Sequence, residues 1–353
     1  MNSDFDAMVK RPPTWLDGSG ADSEIVMSSR VRVARNVAGH RFSHYCDGEE
    51  LSDILRTVEE AARGTAVFAR NQCIAMGRIS TLDRQFLAER HLVSREFLFN
   101  SAHRAVMLNA LEDTCLMINE EDHLRMQGFA AGFDLERAFQ RAAGLGEQLA
   151  ELDMAFSERF GYLTACPTNL GTGLRVSVLI HLPGLVHSKE INKLLESLRK
   201  LNHVIRGLYG EGSEVMGNLF QLSNSATLGT PEDVIVKNLR EMVTKVIGFE
   251  RKARDMLFRK ARRLLEDKVW RAYGLLRYAR SVSTKEALSL VSAVRLGVGA
   301  GLIGDVSVRS LNQLLVYIQP AHLQKLSSAN MDAGERDVAR AEYIRRTLAG
   351  SSV

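Results

Sequence analysis

The sequence lacks the features of a membrane protein, of a disulfide-stapled secreted protein and of a structural metal site. Its 353 residues include four cysteines, none in a C-x-x-C pair. Cysteines this far apart argue against zinc and against a disulfide framework, so we expect free thiols and no protein metal site. No run reaches the roughly 18 apolar residues that a spanning helix requires. The first residues also lack the apolar run of a signal peptide, so we expect a cytoplasmic protein with no membrane partner.

A strong excess of charge of either sign is also missing. The formal net charge is only +4, which gives no general argument for nucleic-acid binding. The segment 251–280 is an exception, with eleven Lys or Arg residues against three acidic ones. A helix this basic is either a solvated face or a surface that meets phosphates or an acidic partner, and both interpretations stay open.

The chain has no internal repeat, and its length and 45% apolar content suit two compact domains. Up to about residue 250 short β-type runs alternate with helical stretches, and beyond it helical periodicity dominates. We therefore expect an α+β domain with an antiparallel-leaning sheet flanked by helices, followed by an all-helical C-terminal domain. The predicted strands include 114–118, 174–182, 204–205 and 219–222. The predicted helices include 133–160, 189–201, 231–280, 284–297, 307–318 and 335–348.

The segment CPTNLGTGLR is the most informative stretch of the chain. It places the Cys166 thiol, two glycines and the Arg175 guanidinium within ten residues. A thiol with flanking polar groups suits a cationic substrate, glycines let the backbone approach an anion, and arginine binds phosphate oxygens in a bidentate fork. Alone, the segment is also consistent with a buried cysteine beside a turn.

Three further motifs carry the same residue types. In SSRVRVAR, Arg30 and Arg32 project from one face of an extended strand, which suits a polyphosphate. In NEEDHLR, clustered carboxylates directly follow an apolar strand, and such clusters need a compensating cation. In RGLYGEG, an arginine and a carboxylate lie on a glycine-rich loop. Each motif alone is also consistent with an ordinary exposed strand, acidic turn or hairpin loop.

Together and in this order, the four motifs resemble the catalytic domain of phosphagen (guanidino) kinases over roughly residues 24–254. The resemblance implies transfer of a phosphoryl group from ATP to a guanidino nitrogen, with Mg²⁺ bound through the nucleotide. The implied catalytic residues, which hold the guanidinium, are Glu121, Glu211 and Cys166. The implied ATP-binding residues are Ser28, Ser29, Arg30, Val31, Arg32, His91, Arg125, Arg175, Val176, Ser177, Val178, Leu179, Arg206, Gly207, Leu208, Tyr209 and Gly210.

The residue types fit the chemistry that the resemblance implies. A guanidinium nitrogen attacks a γ-phosphate only after losing a proton from a group whose pKa exceeds about 12. Glu121 would accept this proton as general base, while Glu211 would hold the opposite edge of the planar group. The arginines and Mg²⁺ would neutralise the charge on the transferring phosphoryl group.

The expected substrate is an arginine side chain of a protein. Only 27 residues precede Ser28, whereas kinases of free arginine or creatine carry a helical domain there. The layout instead resembles bacterial protein-arginine kinases, and RDVARA resembles their phosphoarginine-binding motif. Its Arg336, Asp337 and Arg340 would bind the modified side chain, although the local pattern is also typical of surface ion pairs. The expected domains are an N-terminal extension (1–23), a catalytic domain (24–254) and a phosphoarginine-binding helical domain (255–353).

The same resemblance implies a role in the stress response, in which phosphoarginine marks proteins, including a heat-shock repressor, for an unfoldase–protease complex. It also implies a zinc-containing activator protein, autophosphorylation and a homo-oligomer. Two other interpretations stay open. One is a phosphagen kinase of a free guanidino compound such as arginine, and the other is a non-catalytic adaptor that binds phosphoarginine or nucleic acid.

Overall fold

The computed structural model describes residues 2–69, 73–99, 101–207 and 215–350. The strands are β1 (Val26–Arg35), β2 (Cys73–Ala75), β3 (Ala105–Leu108), β4 (Thr114–Ile118), β5 (Leu124–Ala131), β6 (Phe156–Ser157), β7 (Gly161–Tyr162), β8 (Leu174–His181), β9 (His203–Gly207) and β10 (Leu219–Asn224). The helices are α1 (Asn2–Lys10), α2 (Gly48–Gly64), α3 (Thr81–Glu89), α4 (Leu135–Gln148), α5 (Pro183–His187), α6 (Ile191–Lys200), α7 (Glu232–Tyr278), α8 (Thr284–Gly299), α9 (Val308–Tyr317), α10 (Pro320–Ser327) and α11 (Ala333–Leu348). None of these helices combines the length and the apolar character needed to cross a bilayer.

The centre of the fold is an eight-stranded sheet with the order β2-β3-β4-β5-β1-β8-β10-β9. Every neighbouring pair in it is antiparallel, which confirms the expected α+β class. The strand predicted at 114–118 is β4, and the strand predicted at 174–182 is β8. Both are rich in β-branched and aliphatic residues, which suit a buried pleated surface.

Alternation along β1 gives the sheet two different faces. Val31 and Val33 are buried in the main core, where helices α4 and α7 cover one face. Arg30 and Arg32 therefore project from the opposite face, because successive side chains of a strand alternate. This second face is covered at its margins. Helices α1, α3 and α10 cover the β3–β5 side, and Leu219 of β10 packs into the core of the C-terminal helices. The centre of this face lines a cavity of about 1050 Å³.

Helix α7 connects the sheet to the C-terminal helices. Its first part packs into the main core through residues 235–253, and its second part packs into a separate helical core through residues 269–276. Between them Ala261 leaves the helical region, with φ −137° and ψ 34°. The predicted helices 231–280, 284–297, 307–318 and 335–348 are all present as α7, α8, α9 and α11. The short helix α10 was not predicted.

The prediction of a helix over 133–160 is wrong beyond residue 148. Helix α4 ends at Gln148, and the following chain pairs with the segment after β1. Ala38 donates its backbone N–H to the Asp153 carbonyl at 2.8 Å, and Ala155 donates to the Asn36 carbonyl at 2.8 Å. These long-range bonds straighten the chain, and the hairpin β6–β7 follows.

Two consecutive residues at the end of α3 make buried polar contacts, one with the C-terminal helices and one within the sheet region. The Glu89 carboxylate accepts the backbone N–H groups of Ala321 and His322 at 2.9 and 3.0 Å, so it caps the start of α10. Burial raises the pKa of Glu89 to about 7, although these N–H groups act in the opposite direction. Arg90 forms a fully buried bidentate pair with Glu112, with Nε–Oε2 at 2.7 Å and Nη2–Oε1 at 2.8 Å.

We expect Glu112→Gln to lower the free energy of unfolding by about 3 kcal/mol, because it leaves the buried Arg90 guanidinium without its counter-charge. Urea unfolding followed by circular dichroism measures the change. The control is Glu59→Gln, which removes a charge from the more exposed Glu59–Arg63 pair and should cost less than about 1 kcal/mol. Equally small changes in both variants would contradict a structural role for the buried pair.

Candidate active site

Five guanidinium groups from four strands share the open face of the sheet. Arg30 and Arg32 lie on β1, and Arg125, Arg175 and Arg206 lie on β5, β8 and β9. Arg32 is directly opposite Arg175 in the β1–β8 register, so the two side chains emerge on the same face. All five arginines line the cavity of about 1050 Å³, and together they form what we call the arginine wall. The structure thus brings together residues that lie up to 176 positions apart in the sequence.

Burial and the crowding of like charges weaken the hold of Arg30 and Arg32 on their protons. Burial, aided by the neighbouring arginines Arg125 and Arg175, lowers the pKa of Arg30 to about 10, and it lowers the pKa of Arg32 well below its usual range. The buried Nε of Arg32 has no hydrogen-bond partner among the residues that the structure describes. Buried donors of this kind are normally satisfied, so the wall suits a bound polyanion.

The guanidinium of Arg125 is held by the two glutamates of the turn between β4 and β5. Its Nη1 lies 2.7 Å from Oε1 of Glu120, and its Nη2 lies 3.3 Å from Oε2 of Glu121. Burial alone would raise the pKa of Glu120, but Arg125, the Ser94 hydroxyl and the Glu121 backbone N–H together hold it below its usual range. Glu120 is therefore a charged structural anchor.

Glu121 has a different environment from its neighbour. Its side chain is 44% exposed and lines the cavity, whereas Glu120 is buried. Burial raises the pKa of Glu121, and the charges of Asp122 and Glu120 add to this, while Arg125 opposes it. A carboxylate with a raised pKa that faces a cavity suits general base catalysis.

A buried carboxylate holds the Cys166 loop against this turn. Asp122 is 0% exposed, and its Oδ1 accepts hydrogen bonds from Asn36 Nδ2 at 2.8 Å and from the Ala165 backbone N–H at 2.7 Å. Cys166 follows directly, lines the same cavity as Glu121 and has its Sγ 3.0 Å from Thr168 Oγ1. A hydrogen bond from the Cys166 thiol acts to lower the pKa of Glu121, against the effect of burial. The Cys166 thiol and the Glu121 carboxylate therefore face the same cavity, although they are distant in the sequence.

Glycine is required where the Cys166 loop returns to β8. Gly173 has φ +61°, and a Cβ there would lie 2.5 Å from the carbonyl oxygen of Ala34. Only a residue without a side chain fits this close approach to β1. The Gly-Thr-Gly segment thus sets the position at which Arg175 enters the sheet.

A small second cavity, lined by aromatic rings, adjoins the arginine wall at Arg30. The ring of Trp15 lies 5.6 Å from that of His91 and 6.3 Å from that of Phe129, measured between centroids. Burial lowers the pKa of His91 to about 3, so its imidazole is neutral. The other lining residues are Ser28, Arg30, Ser177, Val178, Leu179 and Gln221. We call this small cavity the aromatic slot. An uncharged aromatic slot beside guanidinium groups suits a planar base attached to phosphates.

Some predicted nucleotide-binding residues have side chains that point elsewhere. Val31 and Val176 are buried in the main core, on the face opposite the arginines, because they alternate with Arg30, Arg32 and Arg175. The Ser29 hydroxyl donates to the Gly132 carbonyl at 2.9 Å. These side chains stabilise the sheet and do not line the cavity. Arg206 lines the cavity and Gly207 ends β9, whereas Leu208, Tyr209, Gly210 and Glu211 lie outside the described residues.

The site also contains residues that the motifs did not single out. Gln127 and Phe129 follow Arg125 at steps of two along β5, so strand alternation places them on the same face. That spacing is a signal that the sequence does contain. Trp15 lies far outside the motifs, and no local pattern indicates its place in the aromatic slot.

The predicted phosphoarginine residues lie on α11, and one of them is part of the fold. Arg340 is 1% exposed, and it donates to the carbonyls of Ile318 and Val282, both at 2.8 Å, and to Asp337. Arg336 is half-buried and donates to the Met331 carbonyl at 2.8 Å. The guanidinium of Arg340 therefore joins three segments of the helical domain.

Comparisons with known proteins agree with this geometry. Residues 53–253 match the family model described as ATP:guanido phosphotransferase, C-terminal catalytic domain. Residues 262–352 match the model described as Protein-arginine kinase McsB C-terminal domain. The chain is 42% identical over 343 residues to the protein-arginine kinase of Pelotomaculum thermopropionicum, and the alignment covers 96% of both chains. The chain belongs to the protein-arginine kinase family. The protein-arginine kinase of Halalkalibacterium halodurans is 43% identical over 95% of this chain and 94% of its own.

Solved structures with the same fold come from phosphagen kinases. A lombricine kinase matches with a TM-score of 0.58 and 26% identity, over 69% of this chain and 71% of its own. The duplicated taurocyamine kinase of Schistosoma mansoni, with bound transition-state analogue components, matches with a TM-score of 0.61 and 26% identity. That match covers 71% of this chain and 38% of the duplicated protein. The expected fold class is confirmed.

We expect the stabilisation by Glu120 to disappear at acid pH. The folded-state pKa of Glu120 is below its unfolded value, so its contribution is fully present above that value, about 4.5, and is lost as the pH falls through the folded pKa. The difference in free energy of unfolding between the natural chain and Glu120→Gln should therefore be largest near neutral pH and shrink towards pH 3. Urea titrations at several pH values measure it, and a difference that stays constant would contradict the assignment.

Proposed function

We propose that this protein is an ATP-dependent protein-arginine kinase, which transfers the γ-phosphoryl group of ATP to arginine side chains of proteins. The observation that carries the proposal is a single cavity in which five arginines lie together with Glu121 and Cys166. Relatives named protein-arginine kinase align over 96% of the chain, which supports a protein as the substrate.

The arginine wall would bind the phosphates of ATP. Four of its guanidinium groups come from β1, β5 and β8, whose sheet pairing fixes their mutual positions. The unsatisfied Nε of Arg32 provides a donor for a phosphate oxygen, within the part of the chain that the structure describes. The aromatic slot of Trp15, His91 and Phe129 would hold the adenine. Mg²⁺, bound through the nucleotide, would neutralise phosphate charge when present.

Phosphoryl transfer would then depend on removing one proton from the guanidinium. As the bond from the γ-phosphorus to ADP breaks, a bond to the guanidino nitrogen forms, and ADP keeps the electron pair. Glu121 would accept the proton that this nitrogen loses. Cys166 would orient the guanidinium beside Glu121 without forming a covalent bond. Glu211, which lies outside the described residues, would hold the opposite edge of the planar group.

The helical region would bind the product on client proteins. Helix α7 joins both hydrophobic cores and departs from helical geometry at Ala261, which supports a functional division near residue 254. In this proposal residues 24–254 carry catalysis, and residues 255–353 bind phosphoarginine through Arg336 and Asp337. Residues 1–23 would complete the nucleotide site, because Trp15 lies in its aromatic slot.

The wider role that we propose is a cytoplasmic one in the stress response. Phosphoarginine would mark damaged proteins and a heat-shock repressor for an unfoldase–protease complex. A zinc-containing activator protein and assembly into a homo-oligomer would regulate the kinase. These partners follow from the family and extend the enzymatic proposal.

We expect Glu121→Gln to reduce phosphorylation of an unfolded, arginine-rich protein by at least about a hundredfold, because the amide cannot accept the proton. ATP affinity should change by less than about threefold, because the arginine wall stays intact. Mass spectrometry under conditions that preserve the acid-labile P–N bond measures the product, and equilibrium titration measures ATP binding. The control is Glu196→Gln on the exposed face of α6, which should match the natural chain.

The same assay distinguishes the substrate classes. Phosphorylation of the unfolded protein with little transfer to free arginine is the expected result. Rapid transfer to free arginine alone would indicate a kinase of small guanidino compounds, and no P–N product with either substrate would indicate a non-catalytic adaptor. Unchanged turnover in Glu121→Gln would remove this residue as the general base.

We expect Arg336→Ala to weaken binding of free phosphoarginine by about tenfold or more without changing the melting temperature, because it removes one charge-assisted contact at a half-buried side chain. The matched control is Arg346→Ala, which lies on the same helix and is exposed. Calorimetric titration measures both affinities. Arg340→Ala is unsuitable as a test, because it removes bonds to two carbonyls of the fold and should destabilise the protein itself. Equal affinities for Arg336→Ala and the natural chain would contradict the proposal.

A further inference from the structure

We infer that Gln127 is a positioning residue, which aims the Arg30 guanidinium at the nucleotide phosphates and holds it through an uncharged group. The inference rests on the proposed ATP site and adds to it a residue that none of the four motifs marks as functional. Gln127 lies on β5, is 0% exposed and is directly opposite Arg32 on β1. Its side chain therefore lies beneath the centre of the arginine wall.

The amide of Gln127 is held in one orientation by its partners. Its Oε1 accepts hydrogen bonds from Arg30, from Nε at 3.0 Å and also from Nη2. Its Nε2 donates to the Leu92 carbonyl at 2.8 Å and lies 2.8 Å from the Cys115 Sγ. The Cys115 thiol in turn donates to the Leu92 carbonyl at 3.3 Å. The oxygen and the nitrogen of the amide thus both have hydrogen-bond partners, and these partners fix the oxygen toward Arg30.

A neutral acceptor at this position has an electrostatic consequence. Arg125 is anchored by the carboxylates of Glu120 and Glu121, which offset its charge. Arg30 is instead hydrogen-bonded to an uncharged amide, and Glu120 acts on it only through its charge, so more of the positive charge of Arg30 is available to an anion than a carboxylate in place of Gln127 would leave. A carboxylate in place of the amide would pair with the same guanidinium edge and compete with a phosphate for it.

The position of Arg30 explains why its direction matters. It lines both the large cavity and the aromatic slot, and its guanidinium lies 5.4 Å from the centroid of the Phe129 ring. The guanidinium is therefore located where the aromatic slot meets the arginine wall. Repulsion from Arg125 and Arg175 opposes this placement, and the two bonds to Gln127 counter that repulsion.

A double-mutant cycle tests whether Gln127 acts through Arg30. The variants are Gln127→Met, which keeps the side-chain length but removes both hydrogen-bonding groups, Arg30→Ala, and the combination of the two. We expect Gln127→Met alone to weaken ATP binding by about tenfold in equilibrium titration. In the Arg30→Ala background the same change should weaken ATP binding by less than about twofold, because its target is already absent. A purely structural role would give the same loss in both backgrounds, which would overturn the inference.

Two further measurements make the result decisive. Gln127→Glu should weaken ATP binding more than Gln127→Met does, because the carboxylate competes with the phosphates; the reverse order would contradict the electrostatic part of the inference. The matched control is Gln148→Met at the exposed end of α4, which should leave ATP affinity unchanged. Failure of the natural chain to bind ATP would refute the proposed function, whereas normal binding by both the natural chain and Gln127→Met would refute only the role of Gln127.

Discussion

The main physical constraint on this structure is the mutual repulsion of guanidinium groups that the sheet holds together on one face. Strand register fixes where Arg30, Arg32, Arg125 and Arg175 emerge, and the rigid antiparallel sheet prevents them from separating. The opposite face provides that rigidity, because α4 and α7 pack on a largely apolar surface. The folded chain thus holds an unfavourable charge distribution that a bound polyanion would relieve, as expected of a preorganised anion site.

Two adjacent glutamates show how environment separates roles within one motif. Glu120 is buried against Arg125 and keeps its charge, whereas Glu121 faces the cavity with a raised pKa. The first residue anchors and the second is suited to exchange a proton. Neighbouring carboxylates with divergent environments are a common basis for acid and base assignments. Asp122 completes the turn by fixing the loop that carries Cys166.

The resemblance to guanidino kinases, rather than a local pattern, assigned all five arginines to phosphate binding. Local patterns in the sequence predicted β1, β4, β8, β9 and β10 and the shared face of Arg30 and Arg32, because alternation along a strand decides which side chains share a face. The same rule explains why Val31 and Val176, which the resemblance included among the nucleotide contacts, lie in the core. Tertiary contacts account for what was not predicted. Trp15 enters the aromatic slot through packing with His91 and Phe129, and the chain after Gln148 is straightened by bonds to a distant segment. Arg340 looked like a surface ligand, yet it is bonded to carbonyls of two other segments, a pattern that no helix periodicity indicates.

The three consecutive residues Glu89, Arg90 and His91 contact three different parts of the fold, which affects the sequence changes that this segment can accept. Glu89 caps α10, Arg90 pairs with Glu112 and His91 lines the aromatic slot. A substitution at one of these positions affects the contacts of that residue alone. A single residue inserted into or deleted from α3, however, would rotate the side chains that follow by about 100°, because α3 extends to Glu89. One such insertion or deletion would therefore disturb the contact with α10, the buried ion pair and the aromatic slot together, whereas a substitution disturbs only one of them.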